Sequence, residues 1–189
     1  HACALRMPNL PPPGPISAPL VGDLYCWGDN TFGEIGDGTF TTRNGPTLVA
    51  TNVADFSAGA YTTCASFAGV VGLGQVKCWG RGDRGQLGNG TTTAAQPNPS
   101  NVTPPITGWP VLTGSFYHAA RLSVGQNHVC AIIANAAQNT ACWGDNTKGQ
   151  IGNGVANSTP VTTPIGQATT TTPTPMMIVA GAMRPYAIR

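Results

Sequence analysis

The stretch CWGDNTFGEIGDG, residues 26–38, recurs as CWGRGDRGQLGNG at 78–90 and as CWGDNTKGQIGNG at 142–154. Glycine holds the same four positions in every copy: Gly28, Gly33, Gly36 and Gly38, then Gly80, Gly85, Gly88 and Gly90, then Gly144, Gly149, Gly152 and Gly154. Such a fixed spacing predicts positive φ angles or close backbone approach. Asn30 and Asn146 share a position with Gly82, and we expect a left-handed conformation there because Asn and Gly tolerate it best. The stretch is therefore interpreted as a folding motif.

Each copy also carries two apolar anchors: Trp27 and Ile35, Trp79 and Leu87, Trp143 and Ile151. A second motif lies between the copies. It is seen in SAGAYTTCASF at 57–67, which aligns with SVGQNHVCAII at 123–133. HACAL at 1–5 matches the last half of this motif, and VAGAMRPYAIR at 179–189 matches the whole of it. The motifs recur about every 60 residues, a period that fits one four-stranded propeller blade. Short apolar stretches bounded by Gly, Pro, Asn and Asp predict an all-β chain.

We therefore predict an all-β, partial β-propeller of about three four-stranded blades. The predicted array covers residues 1–189, with periods of approximately 1–58, 59–124 and 125–180, and 181–189 starts the next. The paired signatures, G…HxCAL and then CWGxNxxGQLGxG, resemble the repeats of the regulator of chromosome condensation family, in the cysteine-bearing version of secreted and cell-surface proteins. That resemblance implies a β-propeller, commonly of seven blades. Some positions depart from it, since Thr62 and Arg184 replace the motif histidine and Tyr186 replaces the cysteine.

Six cysteines allow fifteen disulfide connectivities. The repeat favours three local pairs, because each "CA" strand precedes a "CWG" strand and a hairpin brings both cysteines within disulfide reach. The predicted pairs are Cys3–Cys26, Cys64–Cys78 and Cys130–Cys142. Reduced, packed cysteines are one alternative, and a zinc site is another that the missing C-x-x-C spacing disfavours. Structural disulfides persist in oxidising compartments, so we expect an extracellular or cell-surface protein.

Charged residues make up only 8% of the chain, and the net charge is +2. Nucleic-acid and anionic-membrane partners require clustered Lys and Arg, so neither partner is expected. No apolar run approaches the ~20 residues of a membrane helix, and we expect no membrane insertion. The chain opens at His1 within a motif, without an initiator Met or a signal peptide, and we expect it to be a segment of a longer or processed protein.

Three Pro- and Thr-rich insertions interrupt the repeat, at 7–19, 91–110 and 157–175. Such segments favour extended polyproline conformation and are expected to be surface loops. They are also typical of O-glycosylated or hydroxyproline-rich segments, and the candidate residues are Pro11, Pro12, Pro13, Thr169, Thr170, Thr171, Thr172, Pro173, Thr174 and Pro175. N-glycosylation sequons occur at Asn89, Asn101 and Asn157, of which Asn157 is the preferred candidate.

Catalysis requires a nucleophile, a base and an orienting group together, and the sequence predicts no such set and no enzyme. The histidines are His1, His118 and His128, and the shared repeat position of His1 and His128 suggests a recurring hydrogen bond inside each blade. No metal site is expected. The run Asp29, Asn30, Glu34 and Asp37 resembles a calcium loop, but later copies replace Glu34 with Gln and Asp37 with Asn.

Two further surface features have a structural and a functional interpretation. Residues 81–83 spell RGD, an adhesion tripeptide, but they lie inside the repeated turn, where a structural role is expected. Trp109, Phe116 and Tyr117 lie outside the regular repeat and form a candidate contact patch for sugar or protein. The same aromatic side chains can instead fold back to cap a blade, and we prefer that interpretation.

These features together predict a non-enzymatic structural and interaction module of an extracellular or cell-surface glycoprotein, such as a subunit of a fibre, appendage or cell-wall assembly. A three-blade arc leaves strand edges unpaired, so the expected partners are further blades of the same polypeptide or identical subunits. Covalently attached glycans are expected, and no cofactor. One alternative is a carbohydrate- or ligand-binding, lectin-like propeller. Another is guanine-nucleotide exchange or chromatin binding, which some members of the resembled family perform and which the low charge and paired cysteines oppose.

Overall fold

The computed structural model describes residues 1–7, 21–67, 75–102, 121–132, 140–156, 161–167, 177–181 and 185–188. Within these ranges the chain forms β-strands and turns without a helix. The strands, in chain order, are β1 (Ala2–Arg6), β2 (Gly22–Gly28), β3 (Arg43–Ala58), β4 (Thr62–Phe67), β5 (Gln75–Arg81), β6 (Ala95–Asn101), β7 (Arg121–Val124), β8 (His128–Ile132), β9 (Thr140–Gly144), β10 (Val161–Gln167), β11 (Met177–Ala180) and β12 (Pro185–Ile188). The all-β prediction is confirmed.

The strands pair antiparallel in three sheets, ordered β1-β2-β3-β4-β5-β6, β10-β9-β8-β7 and β11-β12. The first sheet contains two blades, because the 16-residue strand β3 serves both. Its residues 43–53 pair with β2, and its residues 53–58 pair with β4. Asn52, with a φ of 58°, marks the change of partner. We number the blades accordingly: blade 1 is β1, β2 and the first part of β3; blade 2 is the rest of β3 with β4–β6; blade 3 is β7–β10; blade 4 begins with β11 and β12.

The apolar core lies mainly between the blades. One cluster joins blades 1 and 2, and it includes Leu24, Cys26, Ile35, Val53, Ala65 and Trp79. A second cluster joins blades 2 and 3, and it includes Val76, Cys78, Leu87, Leu122, Val124, Val129, Trp143 and Ile151. A propeller blade is too thin to bury an apolar face alone, so its stability comes from stacking on its neighbours. Contacts between blades therefore set the positions of the repeated turns, since Ile35, Leu87 and Ile151 belong to these clusters.

Three disulfides cross the middle of the blades. Cys3–Cys26, Cys64–Cys78 and Cys130–Cys142 lie directly opposite one another on paired strands, and the two Cα atoms of each bridge are 4.1 Å apart. No cysteine is free. The structure therefore contains the three local pairs that the repeat predicts.

The insertions were wrongly predicted to be loops at two points. Residues 95–101 form β6, the outer strand of blade 2, and residues 161–167 form β10, the outer strand of blade 3. An edge strand tolerates proline because its outward N–H groups have no strand partner, and polyproline conformation is already extended. Ser100 Oγ also donates to Cys78 O at 2.9 Å. From residue 8 onward the first insertion lies outside the described residues.

All twelve glycines of the repeated stretch have positive φ, between 65° and 110°, as predicted. The expectation for Asn30 and Asn146 was wrong, since Asn52 is the one non-glycine with positive φ in the described part of the chain. Asn30 is buried and holds its turn together through its side chain instead. Its Nδ2 donates to the carbonyl oxygens of residues 39 and 41 at 2.9 and 3.1 Å, and its Oδ1 accepts from Ile35 N at 2.9 Å. Asn146 repeats this arrangement with Val155 O and Ile151 N.

Candidate functional site at the blade junctions

The first two repeated turns each receive the tryptophan of the following blade. Trp79 Nε1 donates to Glu34 O at 2.8 Å, and Trp143 Nε1 donates to Gln86 O at 2.9 Å. Both indoles are essentially fully buried. At Gly36 a Cβ atom would lie 2.5 Å from Trp79 Nε1, so glycine is required there by contact as well as by its φ of 85°. We call the three equivalent turns tryptophan sockets; they are formed by residues 33–36, 85–88 and 149–152.

A buried Glu or Gln side chain fixes the shape of every tryptophan socket. Glu34 Oε2 accepts from Phe32 N, and the Oε1 atoms of Gln86 and Gln150 accept from the equivalent backbone N–H groups, all at 2.8 Å. Burial raises the pKa of the Glu34 carboxyl, and the negative charge of Asp29 adds to that rise. The glutamine side chains of the other two sockets accept the same backbone hydrogen bond without carrying a charge.

Glu34→Gln is expected to raise the melting temperature at neutral pH. The folded state raises the carboxyl pKa, so folding favours the protonated form, and stability falls as pH rises through the ordinary glutamate range to the raised pKa. Glutamine has no such ionisation. Its amide can also reach Asp29 as Gln150 Nε2 reaches Asp145 Oδ2, at 3.2 Å.

Melting temperatures measured from pH 3 to pH 8 check this prediction. The gap between Glu34→Gln and the natural chain should be small in acid and widen toward neutral pH. The reverse exchange, Gln150→Glu, is the matched control and should lower the melting temperature at neutral pH. A gap that stays constant across the whole pH range would contradict the assigned ionisation.

The inner strands of neighbouring blades are joined by side chain to backbone hydrogen bonds. Ser57 Oγ accepts from Val124 N at 3.0 Å, and Ser123 Oγ accepts from Ala180 N at 2.6 Å. Asp55 Oδ2 accepts from Leu122 N at 2.9 Å, between blades 2 and 3. The sequence-based reasoning missed this row, although a serine two residues before the motif glycine in both full copies was a signal for it.

The histidines do not form the recurring hydrogen bond that was predicted. Thr63 Oγ1 donates to Glu34 O, so His1 Nε2 donates to Thr63 Oγ1, at 2.8 Å, and this bond joins two blades. His128 is fully buried, and neither ring nitrogen has a hydrogen-bond partner among the residues that the structure describes. Burial lowers the pKa of His128, and the nearby charge of Asp145 opposes that shift. Pro185 holds the repeat position of Thr63, and proline has no hydroxyl with which to bond His128 as Thr63 bonds His1.

The RGD segment has a structural role at the junction of blades 1 and 2. Arg81 Nη2 donates to Asp83 Oδ2 at 2.7 Å, so the two charged side chains of the tripeptide form a salt bridge with each other. The guanidinium also lies 5.4 Å from the ring centre of Phe32 and 5.5 Å from that of Tyr61. The two rings meet edge to face at 5.5 Å. Arg81 therefore packs against the Phe32–Tyr61 ring pair, which joins blades 1 and 2.

The aspartate side chains of the calcium-like run accept hydrogen bonds from residues close by in the chain. Asp29 Oδ1 accepts from Thr31, and this bond lowers the pKa of the Asp29 carboxyl. Asp37 accepts from Thr39 and from Arg43 Nε, the latter at 2.6 Å. Within the described ranges no three His, Cys, Asp or Glu side chains are grouped as metal ligands.

The predicted modification and contact residues are only partly within the structure. Asn89 Oδ1 accepts from the N–H and the hydroxyl of Thr91, in the turn, and Asn101 is exposed at the end of β6. The other candidates lie outside the described residues, namely Asn157, Pro11, Pro12, Pro13, Thr169, Thr170, Thr171, Thr172, Pro173, Thr174, Pro175, Trp109, Phe116, Tyr117 and His118. In the part of the chain that is described, no helix has the length and apolarity to cross a membrane.

The repeat recognised in the sequence is also found by comparison with known families. The sequence matches the regulator of chromosome condensation (RCC1) repeat at residues 21–66 and 74–132. It is similar to the ultraviolet-B receptor UVR8 of Arabidopsis thaliana, with 29% identity over 141 residues, which cover 71% of this chain and 28% of the receptor. This chain thus spans less than a third of that relative's length.

Solved structures with the same fold have low sequence identity to this chain. One is in the crystal structure of Kap60 bound to yeast RCC1 (Prp20), with a TM-score of 0.66 and 14% identity, covering 88% of this chain and 37% of that one. Another is Prp20p from Saccharomyces cerevisiae, in a study of its binding to Gsp1p and histones. Its TM-score is 0.63 at 19% identity, with coverage of 88% and 39%. At such identities the likeness establishes the partial propeller fold alone.

Proposed function

Because the chain belongs to the regulator of chromosome condensation (RCC1) repeat family, we propose that it is a non-enzymatic structural and interaction module of an extracellular or cell-surface glycoprotein. The names of its relatives support a binding role: one is a receptor, and another is described by its binding to Gsp1p and histones. These names belong to the relatives. For this chain, binding through the blade edges is the proposed counterpart.

The observation that carries the interaction role is the construction of the junctions. Neighbouring blades are held together by contacts in which the tryptophan of one blade enters the socket of the blade before it. A surface built to receive the next blade is also suited to a blade of a partner. We therefore propose further blades of the same polypeptide or identical subunits as partners, in a fibre, appendage or cell-wall assembly.

The disulfides support the compartment in this proposal. All six cysteines form disulfides within blades. Each disulfide closes a loop and so lowers the conformational entropy of the unfolded chain, which stabilises the fold by roughly 3 kcal/mol. Cytosolic glutathione and thioredoxin keep such cysteines reduced, whereas secreted and surface proteins retain the bridges. The Pro- and Thr-rich insertions are the proposed sites of glycan attachment.

Peptide mapping of the native protein by mass spectrometry, without reduction and with glycans left in place, tests the proposal. The expected result is three local disulfide peptides together with sugar masses on the Pro- and Thr-rich insertions. A reduced and deglycosylated sample is the control. Free thiols with unmodified insertions would overturn the extracellular assignment and favour an intracellular exchange-factor or chromatin-binding role.

A further inference from the structure

The repeated turn of blade 2 ends in an asparagine that is held in a defined hydrogen-bonded geometry. Asn89, Gly90 and Thr91 follow directly on the socket of residues 85–88 and have the acceptor sequence Asn-X-Thr. Asn89 Oδ1 accepts from Thr91 N at 3.1 Å and from Thr91 Oγ1 at 2.7 Å. The amide oxygen is thus occupied, and the amide nitrogen, Nδ2, is the polar atom that these two bonds do not use.

Asn89 lies at the boundary between the packed socket and solvent. The socket residues 85–88 are buried, Asn89 is half-buried, and the residues that follow, 90–94, are all exposed. A bulky polar group attached at this boundary has solvent to occupy. Such a group would stand between the socket and the start of strand β6, on the surface of blade 2.

The equivalent position in blade 1 is closed by an ion pair. Asp37 Oδ1 accepts from Thr39 N at 3.0 Å and from Thr39 Oγ1 at 2.7 Å, the same two bonds that Asn89 makes. Arg43 Nε donates to the other oxygen, Asp37 Oδ2, at 2.6 Å, and the Asp37 side chain is only 8% exposed. Six residues after Asn89 the chain has Ala95 in place of the arginine, and a methyl group cannot form that ion pair.

The equivalent position in blade 3 has the asparagine without the hydroxyl. Asn153 Oδ1 accepts from Val155 N at 3.3 Å and from Asn146 Nδ2 at 3.3 Å. Valine has no hydroxyl, so the tripeptide of residues 153–155 is not an acceptor sequence. Of the three equivalent positions in the repeat, Asn89 alone combines an amide with a threonine hydroxyl two residues on.

We infer that Asn89 carries an N-linked oligosaccharide, attached at Nδ2. This inference rests on the proposed function, because it requires the secretory route, and it names a glycan site in the repeated turn, separate from the Pro- and Thr-rich insertions. In the reaction, Asn89 Nδ2 forms a bond to the anomeric carbon of a sugar carried on a lipid pyrophosphate. The bond from that carbon to the phosphate breaks, the lipid pyrophosphate leaves, and the amide loses one proton.

The hydrogen bonds of the turn are compatible with this modification before and after it. The reaction leaves the amide oxygen unchanged, so both bonds from Thr91 can persist in the product. Asparagine side chains form such turns with the backbone two residues on. Because the bonds join residues 89 and 91 only, the acceptor geometry does not require the finished propeller.

Mass spectrometry of the native protein, digested with trypsin after treatment with peptide-N-glycosidase in heavy-oxygen water, tests this inference. The glycosidase removes an N-linked sugar and converts its asparagine to an aspartate that carries one heavy oxygen. Most molecules should carry this label at residue 89. Trypsin leaves Asn89 and Asn101 in one peptide, residues 85–121, so fragmentation of that peptide has to place the label.

Variants of the chain, secreted from a eukaryotic cell line, test the part played by the turn. Asn89→Asp should lose one glycan and still fold, because Asp37 makes the same two bonds in blade 1. Thr91→Val copies blade 3 and should lose the same glycan. Val155→Thr gives blade 3 the sequence Asn-Gly-Thr and should add one glycan. Val155→Ala is the matched control, which should leave the number of glycans unchanged.

An unlabelled residue 89 in the native protein would overturn the inference, as would an Asn89→Asp variant that keeps the natural number of glycans. A Val155→Thr variant without an added glycan would overturn the assignment of the turn as the acceptor. Local disulfides and sugar on the insertions, found together with an unmodified Asn89, would remove this inference and leave the proposed function standing. Free thiols and a chain without sugar would remove both.

Discussion

Replacing Trp79 with alanine is expected to lower the free energy of unfolding by about 3 to 5 kcal/mol, the range for deleting a buried tryptophan. The indole is fully buried between blades 1 and 2 and packs on Gly36. Its hydrogen bond contributes a smaller part of the loss, because Glu34 O keeps a second donor, Thr63 Oγ1, at 3.0 Å. The cavity left between the blades is therefore the main cost.

Trp27→Ala is the matched control for this prediction. The two tryptophans hold the same repeat position, but Trp27 is half-buried and fills no socket among the described residues. In dilute solution its replacement should cost well under half of the loss at Trp79, while Trp143→Ala should match Trp79→Ala. Urea denaturation at one low protein concentration measures all three. Equal losses for Trp27 and Trp79 would show that the indole stabilises its own blade and not the junction.

The features that the sequence predicted are those that depend on one residue type at a fixed position. Glycine alone accepts positive φ without strain, so the glycine spacing predicted the backbone of all three turns. Cysteines on neighbouring strands have few possible partners, and the repeat reduced fifteen connectivities to the observed one. The tryptophans were recognised as anchors for a similar reason, although their partners in the preceding blade were not.

The features that the sequence did not predict depend on which surface lies opposite. Asn30 and Gly82 share a position, but Asn30 is selected by three side-chain hydrogen bonds and not by its φ. Strands β6 and β10 have proline-rich sequences typical of loops, and pairing with a neighbouring strand overrides that local preference. His128 has no hydrogen-bond partner among the described residues, and the position that Thr63 holds opposite His1 is a proline, Pro185, in the blade after His128. No local pattern carries that information.

The same geometry accounts for both stability and the proposed interaction. A blade that depends on its neighbours for burial inserts its tryptophan into one neighbour and receives the tryptophan of the other, as blade 2 does between blades 1 and 3. The internal junctions therefore serve as the template against which any external contact can be judged.

Gly36→Ala is expected to destabilise the protein by about 2 to 5 kcal/mol, from two separate causes. A left-handed backbone costs a non-glycine residue roughly 1 to 2 kcal/mol. Overpacking a filled core adds about 1 to 3 kcal/mol, and a Cβ here would lie 2.5 Å from Trp79 Nε1. Gly90→Ala is the matched control, because its φ of 83° is close to that of Gly36 and a Cβ there would have no described atom within 4 Å. It should show the backbone cost alone in the same urea titration.

A double-mutant cycle separates the two causes within one site. Once Trp79→Ala has removed the ring, a methyl group at position 36 has room, so Gly36→Ala should then cost no more than Gly90→Ala does. The coupling free energy between positions 36 and 79 should be about 1 to 3 kcal/mol, in the direction that makes the double variant more stable than the sum of single losses predicts. If Gly36→Ala costs the same in both backgrounds, the glycine is required by its turn alone. The contact with Trp79 would then follow from the fold without selecting the residue.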